Sequence, residues 1–91
     1  MLKRIHHLGI AVRSLDEAIP FYRDTLGMAL GGIEDVPEHR VRVAFLRIGD
    51  AKIELLEPTS DEGMIADFLR AHGPGFHHVA YEVEDVEAAM R

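Results

Sequence analysis

Residues 5–19 read IHHLGIAVRSLDEAI and residues 76–90 read FHHVAYEVEDVEAAM, so the chain repeats one segment, without a gap, at a spacing of 71 residues. Each copy opens on a His-His pair, continues with alternating apolar residues and passes through a polar cap into a helical pattern. Such a repeat indicates two copies of one strand-then-helix module. The second copy stops at Arg91, soon after its helix begins. We therefore expect one complete module followed by the beginning of another.

The composition is that of one small globular domain. The 91 residues are 47% hydrophobic and 29% charged, and 10 basic against 16 acidic residues give a net charge of −6. This charge argues against nucleic acid or an anionic membrane as the main partner. The absence of cysteine excludes disulfides and thiolate metal sites. With no secretion signal and no apolar run long enough to span a bilayer, we expect a cytoplasmic protein.

The first module begins with a period-two strand and a capped helix. Leu8, Ile10 and Val12 alternate with a face of small residues that carries His7. Ser14, followed three residues later by an acidic side chain, forms a capping box that predicts a helix as far as a glycine stop at position 27. Pro20 falls inside this helix, where it should cost about 3 kcal/mol or force a kink.

The remaining elements complete a βαβββ order in an α+β fold. Alternation and turn residues predict strands at 28–33, 40–48, 51–57 and 76–83, a loop at 35–38 and a helix at 64–72. The pair Gly49-Asp50 marks the turn between the third and fourth strands. We divide the chain into a first module (1–58), a linker with a short helix (59–75) and the start of a second module (76–91).

Strand parity brings three candidate metal ligands to one face. His7 and His78 occupy the same position of the repeat, and Glu54 lies on the corresponding face of the fourth strand. If each module curls its sheet into a half-barrel, two imidazoles and a carboxylate share a pocket that suits Zn, Mn, Co, Ni or Fe(II). A single strand histidine is more often a surface residue, and recurrence in the repeat is what favours the metal site. His6 and His77, on the opposite parity, are interpreted as packing or supporting groups.

The sequence resembles the vicinal oxygen chelate superfamily, which includes glyoxalases, bleomycin resistance proteins and dioxygenases and pairs βαβββ modules around a metal-lined cleft. The segments that carry the resemblance are IHHLGIAVRSLDEAIPFYRDTLGM and VRVAFLRIGDAKIELLEPTSDEGMIADFLRAHGPGFHHVAYEVEDV, which together cover nearly the whole chain. The strand KIELLEP, the short helix and GFHHVAYEV are most similar to the methylmalonyl-CoA epimerases of this superfamily.

The resemblance implies a function and assigns site residues. It implies a metal-dependent epimerase that inverts methylmalonyl-CoA by α-proton abstraction through a stabilised enolate, with a divalent metal (Co, Mn, Zn, Ni or Fe) on His7, Glu54 and His78. The family's fourth ligand and base, a glutamate, would fall beyond Arg91. Some epimerases also carry an acidic residue on the third strand, where this chain has Val43.

The substrate and the assembly state are expected from the same reasoning. The substrate would be an acyl-CoA thioester, with Gly9, Ala11 and Ala80 leaving room for the acyl group. Its coenzyme tail would meet cationic side chains, for which the candidates are Arg40, Arg42 and Arg47. A second-module strand without its usual neighbours would expose an edge and an apolar face, so we predict a homodimer.

Other functions remain compatible with this sequence. A lactoylglutathione lyase uses similar ligands, and an Fe(II) extradiol dioxygenase uses two histidines and one glutamate, the set seen here. A non-catalytic dimer that binds small molecules fits less well, because only 7% of the residues are aromatic. An inactive fragment is the remaining alternative.

Overall fold

The computed structural model describes residues 2–83, which form one five-stranded mixed sheet with two α-helices. The elements in chain order are β1 (Leu2–Ala11), α1 (Leu15–Pro20), a π-helical turn (Phe21–Thr25), β2 (Ala29–Val36), a 3-10 turn (Pro37–His39), β3 (Val41–Ile48), β4 (Ala51–Pro58), α2 (Met64–His72) and β5 (Gly75–Val83). The α+β class and the βαβββ order are confirmed. The helix predicted after the second histidine pair lies outside the described residues.

The strand order is β2-β3-β4-β1-β5, with β1 parallel to β4 and antiparallel to β5. The first strand of the chain therefore lies between two strands that come much later in the sequence. Within the described part of the chain, no helix is long and apolar enough to cross a membrane.

Helix α1 begins as predicted but changes type at Pro20. The Ser14 hydroxyl accepts a hydrogen bond from the Glu17 N–H at 3.3 Å, which is the expected cap. After Pro20 the backbone continues as a π-helical turn, in which the Leu26 N–H donates to the Phe21 carbonyl at 3.0 Å. The prediction of one helix up to position 27 was therefore wrong, because proline has no N–H to donate and its ring disturbs the preceding turn.

Strand β2 is longer than predicted. The expected loop at 35–38 is a strand up to Val36, followed by the 3-10 turn. Backbone pairing with β3 continues through these polar residues, and the guanidinium of Arg42 bonds Asp35 across the two strands at 2.8 Å. The glycine interruption at 31–32 is a shift of register in the same ladder, as expected of a bulge.

The sheet has two unlike faces. One face is covered by α1 and is called the α1 face below. The buried apolar residues packed between this face and the helix are Val12, Leu15, Ile19, Ala44, Leu46, Ile53 and Leu55. The opposite face, called the histidine face, carries His7, Glu54 and His78 and is covered at one end by α2 over a second buried group: Ala11, Val41, Val43, Leu56, Ile65 and Leu69. The period-two pattern thus separates a sealed core from a partly open surface.

Candidate metal centre

The three predicted ligands lie on three neighbouring strands. His7 is on β1, Glu54 on β4 and His78 on β5, and Gly9 of the central strand is the register partner of both Glu54 and His78. The Nε2 atoms of His7 and His78 are 3.1 Å apart. The Nδ1 atom of His7 is 3.4 Å from Oε2 of Glu54, and both of these side chains are 18% exposed. The structure therefore brings together the three side chains that strand parity placed on one face, and their role as metal ligands stays a prediction.

Gly9 allows His78 to occupy its position. A β-carbon built on Gly9 would overlap the His78 imidazole, well inside contact distance. The space above this glycine is therefore filled by a candidate ligand, and the expectation that Gly9 makes room for an acyl group was wrong. The physical reason is that antiparallel pairing places His78 directly opposite Gly9, so its ring folds over the strand.

The outer histidines hold the inner ones through their second ring nitrogens. His6 Nδ1 lies 2.9 Å from His7 Nδ1, and His77 Nδ1 lies 2.9 Å from His78 Nδ1. The four rings thus form a line in the order His6, His7, His78, His77. The interpretation of His6 and His77 as supporting groups agrees with this geometry, which neither the repeat nor parity could specify atom by atom.

The surroundings of His77, the outer ring of the second pair, favour its neutral form. Its imidazole packs edge-on against Phe68 of α2, with ring centroids 5.0 Å apart. Burial lowers the pKa of His77 below its ordinary value because the charged ring loses hydration, and the neighbouring His78 lowers it further. A neutral His77 can accept a hydrogen bond from the Nδ1–H of His78, which leaves the His78 Nε2 lone pair facing His7.

The two inner imidazoles fit a divalent cation. Two nitrogens bound to one metal at about 2.0–2.1 Å, with an angle between about 90° and 109°, are roughly 2.8–3.4 Å apart, and the observed separation is 3.1 Å. Glu54 faces the other edge of the His7 ring. Accordingly, no three acidic or histidine side chains among residues 2–83 are already arranged around one common metal position. The two histidines are thus aligned, whereas Glu54 would have to turn its carboxylate to join them.

An apolar cavity of about 220 Å³ adjoins this cluster. It is lined by Val36, His39, Val41, Val43, Phe45, Glu54, Leu56, Met64, Ile65 and His78. Val43 is 4% exposed and forms part of the apolar wall. His39 had no predicted role, because it lies in a short turn where no periodicity indicates its direction.

A second, more polar cleft of about 260 Å³ lies beside this cavity, and Phe45 lines both. Arg47, Lys52 and Glu34 line this cleft, so two cations and one carboxylate face it. Arg47 and Lys52 are direct cross-strand partners. The other two arginines considered for the coenzyme tail are paired with carboxylates, Arg40 with Glu62 at 2.9 Å and Arg42 with Asp35 at 2.8 Å.

Comparison with known proteins identifies the family. Residues 6–91 match the model of the Glyoxalase/Bleomycin resistance protein/Dioxygenase superfamily. The chain belongs to this superfamily.

Within the superfamily, the chain is similar to individual epimerases. The chain is 44% identical to the ethylmalonyl-CoA/methylmalonyl-CoA epimerase of Cereibacter sphaeroides, over 98% of this chain and 67% of that protein. It is 40% identical to the mitochondrial methylmalonyl-CoA epimerase of Mus musculus, of which it covers 51%. It therefore spans between half and two thirds of the length of these relatives.

The fold of this chain agrees with that of a solved structure from the superfamily. A variant of the Streptomyces coelicolor methylmalonyl-CoA epimerase, in complex with 2-nitronate-propionyl-CoA, is 38% identical with a TM-score of 0.89. The match covers 99% of this chain and 69% of that structure.

Proposed function

We propose that this chain carries the metal-binding part of a methylmalonyl-CoA epimerase, which inverts the α carbon of its substrate by removing and returning a proton. The observation that carries this proposal is the facing pair of His7 and His78 nitrogens, 3.1 Å apart, beside a cavity that is largely apolar. The likeness to epimerases at 38–44% identity supports the choice of reaction.

The proposed reaction requires stabilisation of the negative charge that forms when the α carbon of the substrate loses its proton. The α hydrogen is acidic because its loss places charge on the thioester oxygen. A divalent cation supplies, when bound, positive charge close to the oxygen on which that charge develops. His7 and His78 would hold it through Nε2, and Glu54 would complete the set of protein ligands.

The chain's own residues prepare this site. A histidine that binds a metal through Nε2 carries its proton on Nδ1. The Nδ1 atoms of His6 and His77 are placed to accept that proton in a hydrogen bond. The apolar wall of the cavity excludes water and so strengthens the electrostatic interactions inside it.

The two adjacent cavities suit an acyl group attached to an anionic carrier. The acyl group would occupy the apolar cavity, and the more polar cleft beyond Phe45 would receive part of the coenzyme. Arg47 and Lys52 are the cations placed there. Among the described residues neither has a carboxylate within ion-pair distance, so both are available to an anion.

We also propose that the chain forms a homodimer. Strand β5 is an edge of the described sheet, and large apolar side chains on β1 and β5 are exposed: Leu2, Ile5, Phe76 and Tyr81. Pairing with a second copy would cover them. Sedimentation velocity should show a dimer, and a stable folded monomer would contradict this. The cytoplasmic location expected from the sequence stays a prediction, which cell fractionation tests.

An isotope-exchange assay tests the reaction. The protein, loaded in turn with Co, Mn, Zn, Ni or Fe, is incubated in D₂O with a single stereoisomer of methylmalonyl-CoA. We expect deuterium at the α carbon together with formation of the other stereoisomer. Absence of both with every metal would overturn the epimerase proposal. Turnover of a hemithioacetal or a catechol instead would assign the chain to another branch of the superfamily.

Metal content tests the ligands independently of activity. The double variant His7→Ala, His78→Ala should lose its bound metal as measured by elemental analysis, while His72→Ala, a histidine at the exposed end of α2, should keep it. Unchanged metal in the double variant would refute the assignment.

A further inference from the structure

We propose that Phe68 is a positioning residue for His78 of the candidate metal centre and acts on it through His77. This inference rests on the proposed metal site and adds a residue that supports it from helix α2. A histidine ring turns easily about its last side-chain bond, because that torsion has broad minima. A ring that must keep one nitrogen aimed at a fixed point therefore needs contacts that lock it.

His77 lies at a shift in the register between β1 and β5. Gly9 pairs with His78. The next residue of β1, Ile10, pairs with Phe76, so His77 has no partner of its own in this ladder. An extra residue of this kind forms a β-bulge, which re-aims the side chain that it carries. The bulge accounts for the contact between His77 and the His78 ring, although strand parity places the two residues on opposite faces.

Phe68 supplies a second contact to His77. The two rings are nearly perpendicular, with an interplanar angle of 84° and centroids 5.0 Å apart, which is a favoured arrangement of aromatic rings. The first contact is the one with His78, whose Nδ1 atom lies 2.9 Å from Nδ1 of His77. His77 therefore has two ring neighbours, the imidazole that it supports and an aromatic ring from α2.

The packing of α2 on the sheet fixes the position of Phe68. Ile65 and Leu69 of this helix are 2% and 7% exposed, and Phe68 packs against the buried group to which they belong. Met64 and Ile65 also line the apolar cavity. Residues three and four apart lie on the same side of a helix. One helix therefore forms part of the cavity wall and, one turn further along, carries the ring that contacts His77.

The first histidine pair has a different environment. Its Nδ1 atoms are also 2.9 Å apart, but His6 is exposed, and within residues 2–83 the one ring stacked on it is that of His7. Its strand, β1, has a neighbour on each side, whereas β5 is an edge of the described sheet. The histidine pair on the strand with one neighbour is thus the pair that receives support from a helix.

NMR of the metal-free protein measures the orientation of His78. Its ring lies over Gly9, so the backbone resonances of Gly9 report where the ring sits. In Phe68→Leu we expect these resonances to move toward their positions in His78→Ala. Phe68→Tyr keeps the aromatic ring and should leave them in place. Leu69→Ala is the control for packing, because it removes buried methyl groups from the same helix, and it should also leave them in place.

Titration calorimetry with Zn²⁺ measures the consequence for metal binding. We expect Phe68→Leu to weaken the affinity by about fivefold or more, and Phe68→Tyr to match the parent protein. His77→Phe removes the ring nitrogens through which Phe68 acts on His78. The double variant Phe68→Leu, His77→Phe should therefore bind no more weakly than His77→Phe alone, because the effects of two residues that act through one contact do not add.

The outcomes separate the role of Phe68 from the proposed metal site. Unchanged Gly9 resonances in Phe68→Leu, or losses of affinity that add in the double variant, would overturn the role of Phe68 and leave the metal site intact. The same changes in Leu69→Ala would also overturn it, since they would follow from loosened packing of α2. Absence of metal binding by the parent protein would overturn the proposed function, and the Gly9 resonances would still decide whether Phe68 orients His78.

Discussion

The two faces of the sheet are built from alternate residues of the same strands, yet they differ in almost every physical respect. The α1 face is apolar, is sealed by a helix and contains the fully buried Leu46 and Leu55. The histidine face holds a line of four imidazoles and a carboxylate, and α2 covers only part of it. The residues that stabilise the fold and the residues suited to chemistry therefore lie on opposite faces of the same strands. Substitutions on the two faces should therefore have separable effects.

The largest effect on stability is expected on the α1 face. Leu46 has no exposed surface, so Leu46→Ala removes buried methyl groups and leaves a cavity. The free energy of unfolding should fall by about 2–5 kcal/mol, as measured by urea denaturation. The molecules that remain folded should bind metal with the affinity of the parent protein. A loss below about 1 kcal/mol, or a weakened metal site, would contradict the separation of the two faces.

The next largest effect is expected at Gly9, on the histidine face. A methyl group at this position would displace the imidazole of His78, so Gly9→Ala should weaken metal binding by about 100-fold. Titration calorimetry with the chosen metal measures this. Gly31→Ala is the matched control, because its added methyl would meet only the Phe45 carbonyl at 3.5 Å. Equal affinities of the two variants would show that His78 does not need its present position.

A smaller effect is expected at the second outer histidine. His77→Phe keeps an aromatic ring against Phe68 but removes the acceptor for the Nδ1–H of His78. The metal affinity should fall by at least about tenfold, and the unfolding midpoint should hardly change. His72→Phe, at the C-terminal end of α2, serves as the control. Unaltered affinity in His77→Phe would show that His78 is oriented without its neighbour.

The smallest effect is expected at the start of α1. Ser14→Ala removes the hydroxyl that accepts from Glu17, at a cost of about 1 kcal/mol. Thermal unfolding measures it, with Thr25→Ala as the exposed control. A second cap limits the loss, because Glu57 accepts from the Leu15 N–H at 2.8 Å. Metal affinity should be unchanged, and a drop would show that α1 supports the histidine face as well.

Periodicity predicted the parts of this fold in which burial alternates. The predicted bounds of β1, β3, β4 and β5 differ from the observed ones by three residues at most, and α2 was predicted residue for residue. The polar end of β2 was missed because it gains its order from Arg42 on the next strand. The π-helical turn was missed because proline indicates a break without indicating what replaces it.

The same sequence signals predicted part of the candidate site. The repeat and strand parity were sufficient to bring His7, Glu54 and His78 together. They could not place Glu57 at the helix cap, since its partner lies 42 residues away in sequence. They could not direct His39 into the cavity either, because the conformation of the turn depends on contacts with the segment that follows β4.

The insertion of β1 between β4 and β5 has a consequence for how the protein is made. During synthesis His7 emerges early. Its strand, β1, gains its two neighbours only after β4, which carries Glu54, and then β5, which carries His78, have been made. Since the paired segments are far apart in sequence, their closure is slow compared with helix formation. A metal ion held by both histidines would therefore report that the sheet has closed, and cleavage of the connection between β4 and α2 should release it.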